Sequence, residues 1–241
     1  MVLTLDEREN SAIREMERFK LYNMLTDIPL FMGMDRIELE QIVSKTKLNF
    51  KKIAEGETIF MQGDTCGFLT MLIYGEIETI ATSDDYSYEV HEYFSAPATL
   101  QTDRIFGRMQ IFPRTYKAIT PCNLIIIDKT EVLKLASNSF IFRLNLLSLL
   151  STSLQKKAHE PWKAMPTEVS KHIVRFIITH CTYPAGRKIF KIKMQYLADI
   201  LHTTRLVISK ELNTLQNKQL VTLGRGRIVI DALEKLIGAE G

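Results

Sequence analysis

Cysteine is scarce in this chain: Cys66, Cys122 and Cys181 are the three among 241 residues, far apart and without a C-x-x-C pair. That excludes a disulfide framework and leaves no ordinary zinc-ligand spacing, so no metal site is expected. Long apolar runs are missing too. The longest, such as Leu124 to Ile127, span a few residues, whereas a membrane-crossing helix needs about 20. Near the N-terminus Asp6, Glu7, Arg8 and Glu9 stand where a secretory signal would require apolar residues, which points to a cytoplasmic protein. No P-loop, G-x-S-x-G or H-E-x-x-H pattern is present, so no catalytic residue is assigned and an enzyme is not expected.

What the chain does hold is a globular composition, 46% hydrophobic and 24% charged, enough for one large domain or two modest ones. Its small net charge of +3 is unevenly spread. Residues 161–241 carry 13 Lys and Arg against 6 Asp and Glu, while the first 160 carry 18 against 22. The basic excess at the C-terminal end points to a polyanionic partner there.

The spacing of Ile13, Met16, Phe19 and Leu21 predicts a helix over residues 6–25. After Pro29, Asp35 with Glu38 three residues on is a capping-box variant that opens a short helix through Val43. From about Lys45, short runs rich in Ile, Phe, Thr and Tyr take over: Thr58 to Met61, Phe68 to Tyr74, Glu76 to Ala81, Tyr88 to Phe94, Thr115 to Ile119 and Leu124 to Asp128. Gly, Asp, Asn and Pro separate them, which predicts an antiparallel sandwich or barrel. Helical periodicity returns after Lys129, and the stretch from Ser139 to about Lys157 is too apolar for one neighbour to cover. Phe140, Leu144, Leu147, Leu150 and Leu154 recur at three- and four-residue steps. They are expected to form a two-stranded dimer seam, with burial inside their own domain as the alternative. Pro161, Trp162 and Pro166 then mark a hinge.

Beyond the hinge the pattern predicts a helix over Thr167 to His180, a strand over Lys188 to Ile192, and two closely spaced helices. Strands over Leu220 to Leu223 and Arg227 to Ile230 follow, joined by Gly224-Arg225-Gly226, and Asp231 is placed to cap a last helix. His202-Thr203-Thr204 is a turn short enough to hold the two helices at a steep angle, and Thr204 can cap the second while its N-terminus faces phosphate. That is the geometry of a helix-turn-helix reader. The run from Ile192 to Leu215 resembles the winged helix-turn-helix of the Crp/Fnr transcription regulators, and the Gly-Arg-Gly turn resembles its wing. Upstream, Gly56-Glu-Thr-Ile-Phe-Met-Gln-Gly-Asp64 and Leu72-Ile-Tyr-Gly-Glu-Ile77 resemble the family's cyclic-nucleotide-binding-like β-roll, and order and spacing match from Leu30 onward.

The resemblance implies an α+β protein: N-terminal helices and an antiparallel β-roll of the jelly-roll type over 1–138, a long dimerisation helix over 139–160, and a winged helix-turn-helix over 161–241. It implies a bacterial, homodimeric transcription regulator on double-stranded DNA, away from membranes, with RNA polymerase as a candidate further partner. The recognition helix, starting near Thr204, would enter the major groove. Arg205 and Lys210 match basic residues the family uses on bases and phosphates; Thr204 and Ser209 match small polar neighbours. An arginine at the start of such a helix can grip guanine O6 and N7. Leu206 departs from the cyclic-AMP receptor group, which carries an acid there; leucine offers a thymine methyl an apolar contact, so a different operator is expected. His202 replaces a glycine common in the turn. Arg225 and Arg227, with Lys188, Lys191 and Lys193, are candidate phosphate contacts.

Cyclic-nucleotide-binding members of the family hold phosphate with a Gly-Glu-hydrophobic turn and an Arg-Ser/Thr pair. Here Gln101-Thr102-Asp103 lacks both the glycine and the glutamate, while Arg114-Thr115 matches the second element behind Pro113. The cassette reads as degenerate and cyclic AMP is disfavoured. Arg104, Arg114 and Thr115 are the candidates for holding another small-molecule effector, whose identity is unknown. No iron–sulfur cluster is expected without clustered cysteines, and His91 reads as a hydrogen-bonded strand histidine rather than a haem ligand. Two alternatives remain beside this reading: a regulator whose β-roll needs no effector, and a cyclic-nucleotide-binding regulatory subunit without DNA activity.

Overall fold

The computed structural model describes residues 21–240. Most of the helix expected over 6–25 lies outside them; residues 21–26 are helical and are called α1. Asp35 starts α2 (Arg36–Lys45), its carboxylate accepting from the Glu38 amide at 2.8 Å. The reciprocal half of the capping box is not made. The Glu38 carboxylate instead accepts from Ser139 Oγ at 2.6 Å, and that oxygen accepts from the Phe142 amide at 3.2 Å. Ser139 thereby separates α3 (Lys129–Asn138) from the long α4 (Phe140–His159) and ties α4 to α2.

Between α2 and α3 runs the β-roll: β1 (Asn49–Ile53), β2 (Thr58–Phe60), β3 (Phe68–Tyr74), β4 (Glu76–Thr82), β5 (Tyr88–Ser95), β6 (Ala98–Leu100), β7 (Thr115–Ala118) and β8 (Cys122–Asp128). One antiparallel sheet has the order β1-β8-β3-β6. Alternation sorts its side chains: Leu69, Met71, Ile125 and Ile127 pack outward under Leu25, Phe31, Leu39, Val132 and Phe142, whereas Leu72 and Leu124 join Ile77, Phe112 and Tyr116 inside the roll. β1 and β6 escape a period-two reading because β1 is exposed at all but its ends and β6 has three residues.

After a short turn at Glu160–Trp162 the chain builds α5 (Val169–His180), β9 (Lys188–Ile192), α6 (Met194–Ile200), α7 (Arg205–Asn217), β10 (Thr222–Gly224), β11 (Arg227–Ile230) and α8 (Leu233–Glu240). Asp231 does not cap α8; it lies 3.8 Å from Arg187 Nε, and the Leu233 amide donates to Gly186 O instead. The second sheet has the order β10-β11-β9-β5-β4-β7-β2, so β9 of the C-terminal unit is hydrogen-bonded to β5 of the roll. Val90 of β5 accordingly belongs to the C-terminal core, beside Phe190, Ile208 and Leu212.

The expected α4 seam divides. Phe142 and Leu146 are buried, and Leu150 leans on the same core, whereas Phe140, Leu144, Leu147 and Leu154 remain 50–68% exposed. Leu150 is therefore shared with its own domain, because the helix face that carries Phe142 and Leu146 sweeps past it one turn later.

The β3–β4 turn depends on Gly75, at φ +96°, where an added Cβ would lie 2.5 Å from Pro121 O and 2.7 Å from Cys122 Sγ. Gly75→Ala is expected to cost about 1–3 kcal/mol, read as a lower urea midpoint by circular dichroism; an unchanged midpoint would contradict the close approach.

Candidate nucleic-acid interface

The Thr204 backbone is extended and its Oγ1 accepts from the Val207 amide at 3.3 Å, starting α7 as expected. His202 takes φ +50°, the left-handed conformation that a glycine would adopt more cheaply. Ile208, Leu212 and Leu215 anchor α7 in the core, which turns Arg205, Leu206 and Lys210 outward; Leu206 is 80% exposed and Ser209 half-buried. The wing is fastened to this helix by Gln216, whose Oε1 accepts from the Leu223 amide at 2.8 Å. Arg225 and Arg227 are exposed, and the Arg227 side chain lies across Gly224, which has no Cβ to obstruct it. Arg205 and Lys210 of α7 and Arg225 and Arg227 of the wing are thus exposed cations, the chemistry that a phosphate backbone would pair with.

The lysines next to the wing divide. Lys193 is exposed, and Lys191 is paired to Glu89 of the roll at 3.1 Å. Lys188 is fully buried, its Nζ 2.9 Å from Glu92 Oε2, and is no phosphate contact in this arrangement. Strand register explains the correction: Lys188 stands directly across from Glu92, so both side chains share one face.

Glu92 is also fully buried. It accepts from Arg114 Nη1, from the Thr182 amide at 2.9 and 3.0 Å, and from the Tyr183 amide at 3.3 Å. Burial pushes its carboxyl up, but Arg114, Lys188 and the Thr182 amide outweigh burial and hold it below the usual range. The sequence carries a signal for this site: Glu92 alternates with the apolar Val90 and Phe94 on one strand face, and a glutamate between such residues demands partners.

Arg114 is thus not available to an effector as expected. Its Nη1 is committed to Glu92 and its Nη2 donates to His180 O at 3.2 Å. Thr115 Oγ1 accepts from the Gln62 amide at 3.1 Å. Arg104 lies elsewhere in the network, its Nε 3.7 Å from Asp103 Oδ2 and without a hydrogen-bond partner among the described residues. Asp103 in turn accepts from Lys157 of α4 at 3.2 Å. Gln101 reaches φ +53° without being glycine. A cavity of about 450 Å³ opens at the β3–β4 turn, lined by Tyr74, Glu76, Ser95, Met24 and Asp27 and by none of the candidate effector residues.

His91 is buried and hydrogen-bonded, Nδ1 2.8 Å from Glu78 and Nε2 3.2 Å from Glu89. The described cysteines are free thiols, and burial raises Cys66 to about 11. Among the described residues no cluster of His, Cys, Asp and Glu could hold a metal ion, and no helix is long and apolar enough to cross a membrane.

A β-roll joined through a long helix to a winged helix-turn-helix defines an effector-sensing, DNA-binding regulator. The cyclic nucleotide-binding domain model matches residues 50–139 and the Crp-like helix-turn-helix domain model residues 171–238. The chain belongs to the Crp/Fnr family of transcription regulators, a family of non-enzymatic proteins that bind DNA and dimerise. No curated protein sequence matches. Among solved structures it is similar to the Thermus thermophilus catabolite activator protein, at 19% identity over 88% of this chain and 100% of the other with a TM-score of 0.48. It is also similar to DNR from Pseudomonas aeruginosa (19%, 90% and 96%, 0.44). A third is the c-di-GMP-responsive global regulator CLP of Xanthomonas campestris (18%, 82% and 99%, 0.44).

His180 lies at the same joint. Its Nδ1 donates to Phe176 O at 2.7 Å, so its Nε2 accepts from Tyr88 Oη at 2.9 Å. Burial is the main cause that pulls its pKa below the ordinary 6.5, and the nearby Arg114 charge adds to it. The unfolded chain takes up this proton first as pH falls, so stability present above 6.5 is lost on acidification through that value. Urea midpoints are expected to fall between pH 7.5 and 5.5, and His180→Gln is expected to flatten the dependence; an equal slope in both proteins would contradict the assignment.

Proposed function

We propose that the chain acts as a homodimer in the cytoplasm, with residues 1–138 as sensor, 139–160 as dimer helix and 161–241 as reader. The first turn of α7 enters the major groove, and the sensor answers to a small molecule other than cyclic AMP. The observation that carries this reading is the capped N-terminus of α7, which presents Arg205, Leu206 and Lys210 outward beside the wing residues Arg225 and Arg227. Arg205 and Leu206 read bases, and Thr204, Ser209, Lys210, Arg225 and Arg227 hold the backbone. The exposed Phe140, Leu144, Leu147 and Leu154 support the dimer, since their four-, three- and seven-residue steps match a helix seam that a second copy would cover. Two copies would present two recognition helices to successive major grooves, about 34 Å apart on a near-palindromic site. Arg114 engaged by Glu92, and Gln101 and Thr102 in place of the glycine and glutamate, support an effector other than cyclic AMP. RNA polymerase is the partner such a regulator would meet at a promoter.

Selection from random duplexes followed by gel shift tests the reader. Arg205→Ala is expected to weaken the selected site by about 1–3 kcal/mol and to relax preference at one base pair. Unaltered retention would contradict its role. Leu144→Glu with Leu147→Glu is expected to convert the dimer to a monomer in analytical ultracentrifugation; a persisting dimer would place the seam elsewhere.

A further inference from the structure

The reader unit is joined to the sensor by a strand. β9 adds to the open edge of β5 through five facing pairs, from Tyr88 opposite Ile192 to Glu92 opposite Lys188. Beyond β9 lies β11, where Arg227 faces Lys191. Glu89, Lys191 and Arg227 therefore stand abreast on one face of the sheet. At the next position the Ile192 amide donates to Gly226 O, so the β4–β5 hairpin tip and the wing tip leave the sheet at the same end. The hairpin tip is acidic. Asp85 accepts from Tyr196 Oη of α6 at 2.6 Å, on the helix that precedes the recognition helix. The Ser87, Tyr196 and Ser83 hydroxyls hold Asp85 below the usual carboxylate range, and Asp84 beside it is exposed.

We propose that this joint is an autoinhibitory dock: the sensor's β4–β5 hairpin covers the phosphate-binding edge of the reader with its own carboxylates, and DNA binding requires β9 to part from β5. The proposal rests on the DNA-binding reading above. Glu89 pairs with Lys191 and so consumes one of the reader's charges, and Asp84 and Asp85 leave the sheet at the same end as the wing tip, where their charge repels phosphate approaching Arg225 and Arg227. Parting trades the reader's bonds to the ion cluster beneath, from Lys188, the Thr182 and Tyr183 amides and His180 O, for water. Arg114 and Glu92 both belong to the sensor and stay paired after release, whereas Lys188 returns to the reader and enlarges its basic edge. An effector that favours the parted state would raise DNA affinity by its differential binding to the two states.

The test uses the full chain and a labelled mixed-sequence duplex at low salt, with affinity read by fluorescence anisotropy. Glu89→Cys with Lys191→Cys places two thiols on directly facing residues, whose Cα separation of about 4.5–5.5 Å suits a disulfide. The oxidised, locked protein is expected to bind at least about ten-fold more weakly than the same protein reduced. Asp84→Asn with Asp85→Asn, which leaves the cores untouched, is expected to bind several-fold more tightly than the native chain. Equal binding by locked and reduced protein would overturn the dock while leaving the DNA-binding reading intact. Equal binding by the Asn variant and the native chain would overturn the carboxylates' role in it. No binding by the native, reduced and Asn proteins alike would overturn the DNA-binding reading and the dock together.

Discussion

The Glu92 carboxylate, sealed from water, is held by two cations and two backbone amides drawn from both halves of the molecule. Such a group tolerates burial only while all its partners are present, and stranding one buried charge costs about 3–5 kcal/mol. Much else follows from it. Lys188 must point inward, β9 must take its register on β5, and Arg114 must face the joint rather than a ligand. The reader's orientation on the roll is in this way set by one inward residue on β5, the strand to which the reader's β9 adds.

Around that joint the two units divide their chemistry as their charge divides along the chain. The acidic N-terminal part contributes Glu89, Glu92 and Asp85, and the basic C-terminal part contributes Lys188 and Lys191 and the exposed cations of α7 and the wing. Opposite charge that suits the reader to DNA also suits it to its own sensor. The same complementarity can therefore serve two exclusive contacts. The exposed side of α4 stands apart from this exchange, its apolar residues facing away from the core that holds Phe142 and Leu146.

Elements with strong local signals were legible in the sequence. Phe68–Tyr74, Lys188–Ile192 and Arg227–Ile230 match residue for residue because period two, turn glycines and apolar content agree there. The Thr204 cap follows from the short polar turn before the second helix, whereas the outward Arg205 and Leu206 follow from the resemblance to the Crp/Fnr reader and not from spacing. What escaped depends on contacts between distant segments. β1 and β6 are strands because of their neighbours, not their composition. The Glu38 carboxylate left its capping box for a serine a hundred residues away. Lys188 looked like one more surface lysine, and Arg114 like a ligand for an anion, since nothing local reveals that Glu92 supplies the anion to both.

Hydrogen exchange at the β5–β9 joint reads whether the reader parts from the sensor on DNA. With the free protein, amides of residues 88–92 and 188–192 should be protected as central strands of one continuous sheet. With saturating duplex present, this protection is expected to be lost while β3 and β8 remain protected. Protection retained at the joint in the DNA-bound protein would contradict it.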